Sequence, residues 1–334
     1  MKPVALVTGE VSPYRERPFQ MLAEAEHVEV LAHRDITQVE AVRRIASGRY
    51  RAVIYGIGGR LALPGSYLAA RGRGIPFVLW TSLWAHPRTP VHALSWPATR
   101  YLYAHADAVV TYGRHVSSYV RRYRDGPIFE APQAVSAELF APVSQAQRSQ
   151  AREQLGGGDF VLLFVGRLVR EKGVPVLLEA WRAAGLENGR LALVGDGPLR
   201  KLAGANAVGP VARGQLPALY AAADAAVLPS IRTATFLEPW GLVVNEAMHM
   251  GTPVIATDAV GAAAGGLVRD GRNGFVVPAG DAHALASRIR ALAAGGELRS
   301  ALGEAARADA RAFSETAWVD GMRAALRAVG ANRV

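Results

Sequence analysis

The chain is predicted to fold as an α/β protein built from two doubly wound domains, and three observations carry the prediction. Short apolar runs of strand length alternate with helix-patterned segments in both halves, as in parallel sheets covered on both faces. A polar stretch at 144–150, leading through Gly156-Gly157-Gly158, parts the halves. The length, 334 residues, exceeds one typical core and suits two domains of ordinary size.

The elements follow in order. Residues 4–8, 28–32, 52–55, 77–80 and 108–111 are short apolar runs that read as strands. Between them, 19–26 and 39–47 carry the helical period. The alternation ends near Ala131-Pro132-Gln133, and a boundary is expected within 140–158 as a linker or a short linking helix. Beyond it, strands are expected near 160–165, 191–194, 226–229 and 253–256, with helices between. A last helix over 314–329 carries Trp318, Met322 and Leu326 at helical spacing. These readings divide the chain into 1–145, 146–312 and a terminal helix within 313–334.

Composition narrows the function classes. Half of the residues are apolar, ample for burial, yet no uninterrupted run reaches the roughly 18 residues of a membrane span. The opening Met1-Lys2-Pro3-Val4-Ala5-Leu6-Val7-Thr8-Gly9 is too short and soon too polar for a signal peptide, and reads as a first strand. The absence of cysteine excludes disulfides and thiolate metal sites and fits a reducing cytosol, so a cytoplasmic protein is expected. The net charge of +10 is carried almost entirely by arginine. It suits an anionic membrane surface or acidic substrates, or reflects a GC-biased genome alone. Nucleic acid is not expected, because zinc-finger spacing, aromatic-basic RNA motifs and lysine tracts are all missing.

The most informative stretch is Glu238-Pro239-Trp240-Gly241-Leu242-Val243-Val244-Asn245-Glu246. Pro239 and Gly241 prevent a helix from starting at Glu238. A helix is expected to begin around Leu242, run through Glu246, and end before Gly251-Thr252-Pro253. Glu238 then sits on a loop and Glu246 in the first turns of the helix. Free N–H groups at the positive helix terminus lie between them, a ready site for an anion such as a diphosphate. Apolar strands on either side make this a βαβ unit, with the loop at the carboxyl end of its first strand.

These residues carry a family resemblance. The segment from Glu238 to Pro253 resembles the nucleotide-sugar signature of glycosyltransferase family 4, the retaining GT-B enzymes. So do Val165-Gly166-Arg167-Leu168-Val169-Arg170-Glu171-Lys172-Gly173 and Leu193-Val194-Gly195-Asp196-Gly197-Pro198-Leu199. The run from Leu216-Pro217-Ala218-Leu219-Tyr220 to Ser230 and the block Asp270-Gly271-Arg272-Asn273-Gly274-Phe275 complete five blocks in the family's order. The resemblance implies two Rossmann-like domains facing a cleft. The terminal helix would either pack back on the first domain or cap its own.

The resemblance also implies the chemistry. Breaking the sugar–oxygen bond leaves negative charge on a departing diphosphate, which fixed cations and N–H groups can stabilise. Arg167 and Lys172 match the family's diphosphate contacts. Glu246 would accept from the ribose, Glu238 from a donor-sugar hydroxyl, and the base would rest near Val211 with Arg213 beside it. Gly166, Pro239, Trp240, Gly241, Leu242 and Val243 complete the implied donor site. On the first domain, Ser12-Pro13-Tyr14-Arg15 reads as a loop on the acceptor side. This chain has Pro-Tyr-Arg where many relatives have glycines, which puts phosphate contact there in question. His86 stands where the family often places a histidine facing the donor sugar; a structural histidine is the equal alternative.

Rival chemistries lack their residues. No Asp-x-Asp pair is present, so neither a bound metal nor any other cofactor is expected, the nucleotide sugar being a substrate. Gly56-Ile57-Gly58-Gly59 and Gly195-Asp196-Gly197 do not complete the dinucleotide motif, because Leu61 and Arg200 hold its last position. No P-loop or Gly-x-Ser-x-Gly elbow occurs. A sugar-nucleotide epimerase and a non-catalytic sugar-nucleotide binder remain as alternatives. The acceptor stays open, whether glycan, lipid or small molecule. Arg114, Arg121, Arg122 and Arg124, with the tyrosines between 101 and 124, are read as a surface for peripheral contact with an anionic membrane or as a merely solvated face.

Overall fold

Most residues of the strands are buried, and those of the central strands almost completely, as expected where helices cover both faces of a parallel sheet. The computed structural model describes residues 2–56 and 62–331. Ile57, Gly58, Gly59 and Leu61 of the first glycine run lie outside the described residues. The chain divides into two compact units, Met1–Ala134 with Ser314–Val334, and Val135–Phe313.

The first unit begins β1 (Val4–Thr8), α1 (Pro13–Glu26), β2 (Val28–Ala32), α2 (Gln38–Ala46) and β3 (Ala52–Gly56). It continues with α3 (Ala62–Gly72), β4 (Phe77–Thr81), α4 (Pro90–His105), β5 (Ala108–Thr111), α5 (Arg114–Val120) and β6 (Ile128–Glu130). Its strands form a six-stranded sheet, order β2-β1-β3-β4-β5-β6, with every pair parallel. The second unit runs α6 (Gln145–Gln154), β7 (Phe160–Val165), α7 (Val174–Ala184), β8 (Gly189–Val194), α8 (Arg200–Ala203), β9 (Ala207–Gly209) and α9 (Leu216–Ala222). Then come β10 (Ala225–Leu228), α10 (Leu242–His249), β11 (Val254–Thr257), α11 (Gly261–Ala264), β12 (Gly274–Val277), α12 (Ala282–Ala294) and α13 (Gly296–Ala310). Its parallel sheet has the order β12-β11-β10-β7-β8-β9.

The last helix, α14 (Glu315–Ala328), belongs to the first unit. Its Trp318 ring lies 5.5 Å from Phe19 and 5.6 Å from Trp80. Gly321 faces β6 so closely that a Cβ there would meet the Glu130 carbonyl oxygen at 2.1 Å. The fully buried Glu26 carboxylate accepts from Arg51 and from Arg323 of α14, each at 2.9 Å. Polar and apolar contacts together therefore fix this helix on the first sheet, and the alternative of a cap on its own domain falls away.

Three readings are corrected. Pro13-Tyr14-Arg15 opens α1 rather than forming a loop, because proline at a first helical position loses no hydrogen bond and has its φ preset. The units divide at 134/135, ahead of the composition change at 140–158, since Phe140 already packs beside Tyr220 with ring centroids 6.3 Å apart. The segment read as an interfacial surface is interior in part, although Tyr101, Arg114, Arg121 and Arg122 are exposed. Tyr103, Tyr112 and Tyr119 are buried. Arg124 is 4% exposed and donates to the carbonyls of Tyr103, Ala106, Asp107 and Pro127. Burial lowers its pKa, and the carbonyls take the hydrogen bonds that water would otherwise provide. Among the described residues, no helix is long and apolar enough to cross a membrane.

Candidate functional site

Open parallel sheets bind ligands at the carboxyl ends of strands where the strand order reverses. In the second unit the chain runs outward from β7 through β8 and β9, then returns to β10 on the other flank of β7. The reversal lies between β7 and β10.

Each of those strands ends in a loop bearing predicted residues. After β7 come Gly166 and Arg167, then a tight turn, Arg170–Lys172, and Gly173. Gly173 has φ 74°, and a Cβ there would stand 1.8 Å from the Pro229 carbonyl oxygen. Only glycine tolerates both the backbone and the approach. The turn is thereby pressed against the end of β10, and the Ile231 amide closes the junction by donating to the Glu171 carbonyl at 2.9 Å.

Lys172 meets Glu238 as a result. Its Nζ donates to Glu238 Oε2, and Ser230 Oγ donates to the same oxygen at 3.0 Å. The lysine also lies 5.6 Å from the centre of the Phe236 ring. Glu238 is 6% exposed, and its backbone is fixed by the Gly261 amide at 3.0 Å. The sequence placed Lys172 and Glu238 in one site without foreseeing that they touch. Ser230 was within a quoted block but had no role.

α10 starts at Leu242, as its sequence predicts. Gly241 at its N-cap brings no side chain to the helix terminus, and the Leu242 and Val243 amides find no acceptor among the described residues. Two donors and the positive end of the helix dipole are left to an anion. Pro239 is half-buried on the loop leading in. Trp240 is buried instead, with Nε1 donating to Asn245 Oδ1 at 2.6 Å and its ring 5.5 Å from Phe313. Its side chain packs the loop down, which the sequence reading as a donor-site residue did not anticipate.

Glu246 lies one turn into α10 with 9% exposure, and Tyr220 OH donates to its Oε2 at 2.8 Å. Burial raises the Glu246 pKa, while the tyrosine hydrogen bond and the charge of Arg213 oppose that rise. Tyr220 is raised by its own burial and by the nearby carboxylate. Arg167 extends outward, its side chain 66% exposed and 3.7 Å from Glu171. Val211 is half-buried between β9 and the Arg213–Gln215 turn.

The first unit has its own reversal, between β1 and β3. A cavity of about 310 Å³ opens there, lined among others by Gly9, Ser12, Tyr14, Arg15, Trp80 and Tyr112. Arg15 Nη2 donates to Tyr112 OH at 2.7 Å, and the guanidinium lies 4.7 Å from the Trp80 ring and 5.3 Å from the Tyr14 ring. Tyr112 has its pKa pushed up by burial. His86 does not line this cavity. Its Nε2 is 2.6 Å from the His92 carbonyl oxygen and its ring 4.6 Å from Trp96, contacts that hold the loop before α4.

Comparison with known proteins follows this geometry. Residues 145–309 match the family described as glycosyl transferases group 1. The chain is 29% identical over 317 residues to an alpha-D-kanosaminyltransferase of Streptomyces kanamyceticus, covering 86% of this chain and 79% of that protein. It is 35% identical over 207 residues to a D-inositol 3-phosphate glycosyltransferase of Arthrobacter sp. (strain FB24), covering 55% of this chain and 46% of that protein. Anabaena HepE, solved in complex with UDP-glucose, is similar with a TM-score of 0.73 at 22% identity, over 97% of this chain and 99% of that one. At that identity the likeness shows the fold, GT-B with two Rossmann-like domains.

Proposed function

We propose, for a chain that belongs to the group 1 glycosyl transferases and has the GT-B fold, that it moves a hexose from a nucleoside diphosphate sugar to an acceptor hydroxyl, with retention of configuration and without a metal ion. The observation that carries the reading is the Lys172–Glu238–Ser230 cluster at the β7/β10 reversal, beside the uncapped first turn of α10. The similarity to a protein solved with UDP-glucose supports the donor class.

In this reading the diphosphate lies against the Leu242 and Val243 amides, with Gly166 and Gly241 giving it room. Lys172 and the outward Arg167 neutralise the charge that it gains. Lys172 turns from Glu238 toward the phosphate as the donor enters, and Glu238 takes a hexose hydroxyl in exchange. Glu246 uses Oε1 for the ribose while Oε2 stays with Tyr220. The base rests near Val211. The acceptor oxygen bonds to the anomeric carbon on the face that the diphosphate leaves. The carbon–oxygen bond to the diphosphate breaks with its electron pair going to that oxygen, which then takes the acceptor's proton.

The test is a panel of nucleotide sugars assayed for sugar release to water, with two variants. A hydroxyl beside the reacting carbon can be held more tightly in the transition state, whereas ribose contacts are uniform binding. Glu238→Gln should therefore lower turnover more than donor affinity, and Glu246→Gln should chiefly weaken donor and free diphosphate binding. The reverse pattern would turn the donor round. Release from no member of the panel would remove the function.

A further inference from the structure

The first-unit cavity contains a fixed cation. The Arg15 guanidinium is fixed by Tyr112 and by the Trp80 face, yet it forms no ion pair among the described residues. Its Nε is buried without an acceptor, and so is Nε1 of Trp80, which is 2% exposed and lines the same cavity. A buried donor without a partner is costly, more so on a charged group. Both atoms are sealed even from the open cavity, whereas Arg15 Nη1 is not sealed and has no acceptor among the described residues, so it is the donor left for a ligand. The planar fork of arginine is matched by phosphate and carboxylate oxygens.

The rest of the lining narrows the ligand. Ser12, Ser82 and Thr8 offer hydroxyls, and Glu10 adds one exposed carboxylate. That carboxylate opposes a crowd of negative charges and accepts from hydroxyls instead. The volume of about 310 Å³ is within the range of small-molecule sites.

We propose that this cavity is an oxyanion subsite for the acceptor, in which Arg15 grips a phosphate or carboxylate of a hydroxyl-bearing molecule. Arg15 then supplies by side chain what a glycine-rich loop would supply by backbone amides. The assignment to an acceptor rests on the glycosyltransferase reading, but oxyanion binding can be measured without it.

Calorimetric titration of the full chain with inorganic phosphate, acetate and UDP separates the two. Saturable binding of phosphate or acetate is expected, the tighter of them naming the acceptor's group. Arg15→Gln should weaken it at least tenfold, with UDP affinity unchanged. Arg15→Lys, which keeps charge but loses the fork, should fall between, and Arg17→Gln on the exposed side of α1 should match wild type. Should Arg15→Gln fail to fold, Tyr112→Phe removes only the hydroxyl that orients the guanidinium and should weaken the anion severalfold. Binding unaffected by Arg15→Gln or Tyr112→Phe, or binding of neither anion, overturns the subsite. A fall in UDP affinity in Arg15→Gln overturns the acceptor assignment by giving the cavity to the donor. Failure of wild type to bind UDP would count against the transferase reading and leave the anion result standing separately.

Discussion

Replacing Lys172 by methionine tests the centre of the second-unit site. The methionine stem keeps most of the lysine's packing and removes the charge. Lys172 and Glu238 side chains are 16% and 8% exposed, so the substitution takes the lysine's charge from a nearly buried carboxylate that keeps the Ser230 hydrogen bond. Breaking a fully buried pair costs about 3–5 kcal/mol, and the lysine's partial exposure with the retained serine bond lowers the expectation to about 2–3 kcal/mol. Glu238→Gln in the same background removes the carboxylate's charge as well, so the double variant should recover about 1–2 kcal/mol of it. Urea unfolding followed by tryptophan fluorescence measures these terms. Turnover in nucleotide-sugar hydrolysis should fall by about 10²–10³ in Lys172→Met, as for loss of one donor to a developing oxyanion. Stability within about 0.5 kcal/mol of wild type, with additive effects of the two substitutions, would refute the coupling.

Three further outcomes are expected. Gly173→Ala should cost at least about 1–2 kcal/mol from left-handed backbone alone, and more from the Pro229 carbonyl it would strike; unfolding by urea at the wild-type midpoint would show that the turn is not pressed against β10. Glu246 has its native pKa above the ordinary 4.5, so the native state holds a proton that the unfolded chain has lost, and stability falls as pH rises through that window. Glu246→Gln should thus melt higher than wild type at pH 8 and about equally at pH 4, and a difference independent of pH would contradict the burial argument. Transfer should survive EDTA; complete loss restored by Mg²⁺ or Mn²⁺ would overturn the metal-free mechanism.

Much of the architecture was legible because apolar runs and turn residues are local signals. The strands at 4–8, 28–32, 108–111 and 160–165 fall where the sequence puts them. The start of α10 at Leu242 was readable from Pro239 and Gly241. What escaped was set by distant partners. Tyr220 meets Glu246 across 26 residues, and Lys172 meets Glu238 across 66. No periodicity in either segment encodes those pairings. Trp240 is held inward by an asparagine five positions on, a contact indistinguishable in sequence from an exposed aromatic. Arg124 was read with its exposed neighbours Arg121 and Arg122, because charge alone does not reveal that backbone carbonyls surround it.

The return of α14 to the first unit orders the events of synthesis. The second unit is one uninterrupted stretch, Val135–Phe313, and can close as soon as it has left the ribosome. The first unit cannot. Its aromatic layer at Phe19 and Trp80 stays open until Trp318 arrives, and the buried carboxylate of Glu26 waits for Arg323. The strands of the first unit are thus completed only after α14 has been made, although they precede the whole second unit in the sequence. Trp80 is also a wall of the Arg15 cavity. A chain interrupted before α14 would carry a finished second unit beside a first unit whose cavity lacked its support.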